Sequence, residues 1–457
     1  MSDYLQAIPV SQYVPYTNMF SSALFGGYTA MLSGVQQFEY SGWRNEELSW
    51  HDNCFIHAGL NPFDECRVTG PDMIPFLSYN LTNGFKNFPV GSIRHGVIVN
   101  EHGTLMADGI VLRTAEDEVE CTCMTSNLTY RAAVQDFDVT VENLAGKYFF
   151  YQLGGPRSLE VVEAACEEDL HDLGFLQHRM SKICGHDVRI QRIGMAGALA
   201  YEVHGLTPDA REIYEKLLEA GKEYGITQLG RHAYWNTHTE NGFPQAIIHY
   251  PYAYEQEEGL WNMLVETQSP FLAFTATYSN LTGSIGPEME PRFVNPFELG
   301  WERSVSFNHD FIGKEALQKI KADGYRKVVT LEWNAEDICD VWKSGIDGSE
   351  EPYAPIEGPE DFDPTGTYEY RADKVLAGDK VVGLSAGRIH SWYYKRMLSM
   401  AFVEPEYAEE GTELVVLWGN PDQRQKKIRA TVARYPYMDV DRNEDVDVMQ
   451  KVPHRFA

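Results

Sequence analysis

The sequence predicts an α+β protein in which duplicated α+β units precede a C-terminal antiparallel β-barrel domain. Three observations carry this. Two segments each read as a strand, a Gly-Pro turn and a helix; a run of short strands alternating apolar and polar residues fills the last part of the chain; and 457 residues are too many for one small core.

The first unit is the strand FDECRVTG (63–70), followed by the helix-like PDMIPFLSYNL. GVIVNEHGTLMADGIVLRT (96–114) then reads as a hairpin turning at Asn100 to Gly103. The second unit, KYFFYQLGGPRSLEVVEAAC (147–166), repeats the order, with Gly155-Pro156 standing where the first has Gly70-Pro71. TPDAREIYEKLLEAGKEYG (207–225) predicts a helix: Thr207 caps, Pro208 sits in the first turn, Ile213, Leu217, Ala220 and Tyr224 share a face, and Gly225 stops it. LGRHAYWNTHTENG (229–242) follows without apolar periodicity and reads as a loop or strand. Residues 243–295 are aromatic-rich and weakly patterned, the texture of a lid or binding loop. From 326 onward KVVTLEW, VVGLSAGRIHSW, MLSMAFVE, GTELVVLWG and KIRATVARYPY read as barrel strands, interrupted by an acidic surface loop at 345–366. The expected division is a catalytic region at 1–325, with 243–295 as its insertion, and a barrel domain at 326–457.

With 38 basic and 67 acidic residues the formal charge is -29, which repels a nucleic-acid backbone and argues for solubility. Seven cysteines, an odd number without a C-x-x-C pair, suit a reduced, cytoplasmic protein. No apolar run reaches the ~18 residues that span a bilayer, so no membrane is expected.

The candidate chemistry concentrates in a few places. His232, His238, Glu240 and His249 are near in sequence but lack helical H-E-x-x-H spacing, so metal binding is disfavoured. A G-x-S-x-G elbow is absent. Asp108, entering a strand of an otherwise apolar hairpin, and Glu202, alternating with Tyr201 and Val203, are carboxylates on half-buried strands. Each needs a partner or a ligand there, and a satisfied structural acid is the competing reading.

The motifs V-x-G-P-D (68–72), N-E-x-G-T-L-M-A-D-G-I-V (100–111), Q-x-G-G-P (152–156), A-Y-E-V (200–203), N-P-F-E-L-G (295–300) and H-D-F-I-G-K-E-A-L (309–317) resemble, in order, those of the folate-dependent aminomethyltransferases of glycine cleavage. Within that family the chain is most similar to the tetrahydrofolate-dependent aryl methyl-ether O-demethylases of vanillate and syringate type. H-A-Y at 232–234 and Glu240-Asn241-Gly242 match their R-A-Y and E-x-G, and aminomethyltransferases typically carry arginine where this chain has Tyr234.

The resemblance implies an aminomethyltransferase-like folate-binding fold and an enzyme that moves a methyl group from a methoxylated aromatic compound to tetrahydrofolate, giving a phenol and 5-methyltetrahydrofolate. It also implies roles. Glu202 would bind the pterin, with Tyr201 and Glu240 in the same wall; Asp108 would sit near the reactive nitrogens; Tyr234 would stand beside the ether oxygen, a phenol of pKa ~10 suited to donate to a departing phenolate. Arg388 and Arg396, next to Lys395, would meet the glutamate tail of the folate, and Tyr28 would flank the substrate ring. The chain departs from the demethylases at Gly59 and Pro62, where they carry polar residues, and at Met124, where they carry a carboxylate-binding arginine. A benzoate carboxylate buried there would lack a partner. The substrate is therefore expected to be neutral, or its charge met by Arg94 or Arg231. No obligate protein partner is expected. The competing functions are an aminomethyl-, methylamine- or sulfonium-type folate transferase, the former served by a lipoyl carrier, and a non-catalytic folate-binding protein, whose K-G-C-Y-x-G-Q-E cysteine is missing.

Overall fold

The structure, a computed structural model, describes residues 12–14, 39–61, 63–194, 197–246, 248–267, 281–356 and 370–456. Its first eleven strands are β1 (Cys54–His57), β2 (Glu65–Thr69), β3 (Ile93–Val99), β4 (Leu105–Ala115), β5 (Glu118–Thr122), β6 (Thr140–Asn143), β7 (Tyr148–Gly154), β8 (His178–Ile183), β9 (His186–Gln191), β10 (Ala200–Leu206) and β11 (Ile226–Gln228). They form a five-stranded sheet of order β3-β4-β5-β2-β6 and a six-stranded sheet of order β11-β1-β7-β10-β9-β8. The two Gly-Pro turns do the same work in each. β2 leads through Gly70 (φ 119°) into the helix Met73–Asn80, and β7 leads through Gly155 (φ 118°) into the helix Ser158–Cys166.

Only glycine fits these turns. At Gly155 a Cβ would meet the Asn53 carbonyl oxygen at 2.6 Å, and at Gly70 it would meet that of Asp138, both backbone atoms that cannot swing aside. Gly155→Ala is expected to cost about 2 kcal/mol or more, from strained backbone plus the clash, and to show as a lowered thermal unfolding midpoint.

The helix after β10 differs in its start. Thr207 donates its hydroxyl to the Gly146 carbonyl instead of capping, a 3-10 turn Thr207–Asp209 containing Pro208 comes first, and the α-helix is Ala210–Gly221. A second 3-10 turn, Lys222–Tyr224, ends at Gly225 in the left-handed region (φ 72°).

The larger correction concerns LGRHAYWNTHTENG, which is a helix, Arg231–Asn241, and not a loop or strand. It begins at Gly230 and ends at Gly242 with φ 67°. All of its residues except His232 are buried. A helix enclosed on every side has no single apolar stripe, so the sequence shows no period of 3.6.

β12 (Leu281–Thr282) pairs in parallel with β14 (Tyr370–Arg371). The remaining strands, β13 (Lys327–Trp333), β15 (Asp373–Ala377), β16 (Lys380–Ser391), β17 (Arg396–Val403), β18 (Glu413–Trp418) and β19 (Lys426–Ala433), close a barrel of order β13-β17-β16-β15-β18-β19. Its interior is Leu331, Val375, Val382, Ala401, Val416, Ile428 and their neighbours. β15 is the strand the sequence pattern passes over. Of the acidic loop, 345–356 is irregular chain and 357–366 lies outside the described residues.

After the barrel the chain returns to the six-stranded sheet. Val448 and Val452 join that sheet's core, and buried Arg192 donates to the carbonyls of Asn443 and Val446 at 2.9 and 2.7 Å.

Candidate active site

Helix Arg231–Asn241 packs on barrel strands β16 and β17 and reaches β1 of the six-stranded sheet through Tyr234, and its start is pinned by Glu46, a buried acid that accepts from the Gly230 N–H at 2.8 Å. Tyr234, one turn in, is 3% exposed. Its ring stacks on His57, at the end of β1, with centroids 4.0 Å apart and planes 7° from parallel, and meets His238 edge-on at 5.0 Å. His57 Nδ1–H donates to the Leu229 carbonyl at 3.0 Å. Burial pushes this imidazole down to about 4, so it presents a neutral face. Burial, reinforced by Glu202 and Cys123 and opposed by a bond with Gln152, pushes the Tyr234 phenol well above its usual value. Tyr234 is therefore a neutral O–H donor throughout the working range.

Glu202 lies on β10, opposite Gln152 of β7 and Gln191 of β9. Gln152 Nε2 donates to Glu202 Oε1 at 3.2 Å. Burial pushes the carboxyl up to about 8, with that bond opposing. Among the described residues neither amide atom of the fully buried Gln191, nor Oε1 of Gln152, has a hydrogen-bond partner. A buried orphan of this kind costs about 1–3 kcal/mol, and a ligand bringing its own donors and acceptors offsets that cost. Tyr201, the preceding residue, points to the other face of β10 into the second core. Strand alternation separates it from the Glu202 wall.

Asp108 lies inside β4, not ahead of it. Its Oδ1 accepts from Tyr250 and Tyr252 hydroxyls at 2.7 and 2.9 Å, and its Oδ2 from His95 Nε2 at 3.1 Å. The described part of 243–295 thus contributes a buried floor: Tyr250 and Tyr254 are fully enclosed. Residues 268–280 lie outside the described residues.

The three groups converge near Cys123, whose backbone is left-handed (φ 59°). Its thiol feels the charges of Asp64, Asp108 and Glu202 and, above all, its own burial, which push it well above its usual value. The ionisable neighbours of the thiol are acids.

The other candidates are spread more widely. Met124 is fully buried at the start of helix Thr125–Val134. Gly59 lies in the turn after β1, and Tyr28 and Pro62 lie outside the described residues. Arg231 opens the Tyr234 helix, 2% exposed, with its guanidinium 5.5 Å from the Trp235 ring. Arg94 alternates with His95 and so leaves the opposite face of β3, donating to the Asn87 carbonyl at 2.7 Å. Glu240, two turns beyond Tyr234, is fully buried and accepts from Trp50 Nε1 (3.1 Å), His51 Nε2 (2.5 Å) and Ser391 Oγ (2.8 Å). That network ties the helix to the barrel. Arg396 pairs with Glu332 at 2.6 Å, and Arg388 is buried 5.3 Å from the Trp418 ring with one nitrogen 3.9 Å from the Met397 sulfur. Both belong to the barrel. His249 accepts the Gln245 N–H at Nδ1 (3.0 Å) and donates from Nε2 to Thr239 (2.9 Å), and His232 pairs with Glu39 at 3.0 Å. Both of these histidines have structural partners.

Sequence reading missed His57, Gln152, Gln191 and His95 as site residues. Gln152 alone carried a signal, as the first residue of Q-x-G-G-P.

Residues 28–249 match the GCVT N-terminal domain model. The chain is 44% identical over 424 residues to sesamin methylene transferase of a Sinomonas species, covering 91% of this chain and 93% of that one. The chain belongs to the aminomethyltransferase family. A second relative of the family, syringate O-demethylase of a Sphingobium species, is 30% identical over 440 residues, covering 90% and 91% of the two chains. The glycine cleavage system aminomethyltransferase T from Bartonella henselae superposes with a TM-score of 0.63 at 19% identity, over 92% of this chain and 95% of that one, and shares the fold. This member of the aminomethyltransferase family is an enzyme, a transferase. Among the described residues no helix is long and apolar enough to cross a membrane.

Proposed function

We propose that the chain takes a one-carbon unit from a neutral aryl ether and transfers it to tetrahydrofolate, with Tyr234, Asp108 and Glu202 in the central roles. The observation that carries the neutral substrate is the sign of the charge around Tyr234. Glu202 and Asp108 flank this region, Met124 is fully buried, and Arg94 leaves the far face of its strand. A carboxylate brought beside Asp108, and beside Glu202 once bound tetrahydrofolate has selected its ionised form, would be repelled as well as desolvated.

The name of the 44% relative, sesamin methylene transferase, favours a methylene unit such as that of a methylenedioxyarene, and the name of the 30% relative, syringate O-demethylase, favours the methyl of a methoxyarene. Both balance. A methoxyarene gives one phenol while the acceptor exchanges one N–H for N–CH3; a methylenedioxy bridge gives a catechol while the acceptor exchanges two N–H bonds for two N–C bonds. Tetrahydrofolate supplies the nucleophilic nitrogens when bound.

The residues present fit that acceptor. Glu202, the unpartnered Oε1 of Gln152 and the unpartnered amide of Gln191 offer both acceptors and donors to the hydrogen-bonding edge of a pterin. Asp108 holds a carboxylate beside the amines, and Tyr234 donates its O–H to the ether oxygen as charge develops on it. The enclosed setting keeps the nucleophile and the ether aligned, and alignment is the larger part of a displacement from so poor a leaving group. All seven cysteines are free, which suits a reduced cytoplasm. Glu240 is assigned to the helix–barrel network and Arg388 and Arg396 to the barrel.

The test is a matched panel of methoxy- and methylenedioxyarenes with and without a carboxylate. Neutral compounds are expected to exceed their benzoate counterparts by at least about tenfold in kcat/KM, the 1.4 kcal/mol equivalent of one poorly paired charge. A preference for the benzoates contradicts the reading.

A further inference from the structure

Asp108 is held more firmly than a strand carboxylate needs to be. Two phenols donate to one of its oxygens and an imidazole to the other, yet the side chain keeps 13% of its surface open to the site. Tyr252 also accepts the Asp108 backbone N–H, at 3.4 Å, so one hydroxyl touches both the main chain and the side chain of the same residue. Burial, with the charge of Asp108 next in importance, pushes both phenols well above their usual value, so each hydroxyl keeps its proton.

The phenols are themselves fixed. Their segment is tied to the start of β4 by the Ala253 N–H donating to the Leu105 carbonyl at 3.1 Å, and Tyr250 bridges to Ala246 and meets the Trp301 ring edge-on at 6.0 Å. Ser304 Oγ lies 3.4 Å from Nδ1 of His95, steadying the third donor from behind.

We propose that Tyr250 and Tyr252 are positioning residues for the transfer. They saturate Oδ1 of Asp108 and lock its rotamer, so that the open remainder of the carboxylate is presented in one orientation to the acceptor amines. Hydrogen bonds to an ionised group are the strong ones, and a catalytic group must be held within about 0.5 Å of its productive place. The inference rests on the proposed placement of Asp108 beside the acceptor.

The test is a double-mutant cycle on the full chain: Tyr250→Phe, Tyr252→Phe and Asp108→Asn, singly and combined, with circular dichroism and unfolding midpoints as folding controls. Two quantities are read, the tetrahydrofolate dissociation constant by fluorescence titration without donor and the kcat and KM of turnover. Each Phe variant is expected to weaken tetrahydrofolate binding by about 3- to 10-fold and lower kcat by about 10-fold, leaving the donor KM within about twofold. In the Asp108→Asn background the same Phe changes are expected to have no further effect. Phe effects that persist in that background overturn the inference alone, because the tyrosines then act through packing. An Asp108→Asn variant with unchanged affinity and kcat overturns the placement of Asp108 and the inference together. Tyr252→Phe, which removes one oxygen from a 7% exposed ring, carries the test if Tyr250→Phe does not fold.

Discussion

Replacing Tyr234 by phenylalanine is expected to lower kcat by about 100- to 10,000-fold, the range of a single general acid, while tetrahydrofolate affinity changes by no more than a few-fold. The substitution keeps the ring and therefore the stacking on His57 at 4.0 Å and the edge contact with His238, so the packing of the helix survives. Only the O–H is lost. Because burial holds the phenol well above its usual value, the wild-type rate should show no limb from Tyr234 near neutrality. Single-turnover measurements with bound tetrahydrofolate separate the two effects. An unchanged kcat removes Tyr234 from the chemistry.

The second large effect is at Glu202. Glu202→Ala is expected to weaken tetrahydrofolate binding by about 100-fold or more, since it removes a charged acceptor and takes a partner from Gln152 Nε2 beside the unpartnered amide of Gln191. The wild-type affinity should also depend on pH in one direction. With its carboxyl pushed up to about 8, free Glu202 holds a proton at pH 7. A ligand that donates N–H groups to it selects the ionised form, so binding displaces the proton, tightens from pH 7 towards 9, and levels off above the free-state value. Calorimetry at pH 7 in buffers of different ionisation enthalpy should report proton release. Affinity that falls between pH 7 and 9 would mean that Glu202 binds as the acid.

How much of this was legible depended on whether the signal was local. The barrel strands, the hairpin Asn100–Gly103 and the two Gly-Pro turns could be read because alternation and turn chemistry act over a few residues. β15, five residues following an acidic run, had too little context. The Tyr234 helix was opaque for a different reason: burial on all sides replaces its amphipathic stripe by polar residues bonded to three neighbours, such as Thr239 to Gly387 of the barrel and Glu240 to Trp50 and Ser391. The site divided in the same way. Asp108 and Glu202 stand out as carboxylates on half-buried strands, and Tyr234 through the family resemblance. Gln191, His95 and His57 became site residues only through sheet pairing and a helix packing across long separations, as when β10 sets Glu202 opposite Gln191. The aromatic segment after 242 reads as a lid because its tyrosines at 250, 252 and 254 sit in a stretch with no described strand; the spacing of the first two answers to one carboxylate on β4. Grouping Tyr201 with Glu202 runs against the period of two that sends neighbours to opposite faces.

The most direct measurement follows the carbon itself. A neutral aryl ether labelled with 13C at its methoxy or methylenedioxy carbon is incubated with the protein and tetrahydrofolate, and the folate is examined by NMR. The account predicts label on the folate in amounts equal to the phenol or catechol formed. Label that remains in the ether, or leaves it as methanol or formaldehyde while the folate stays unlabelled, contradicts it.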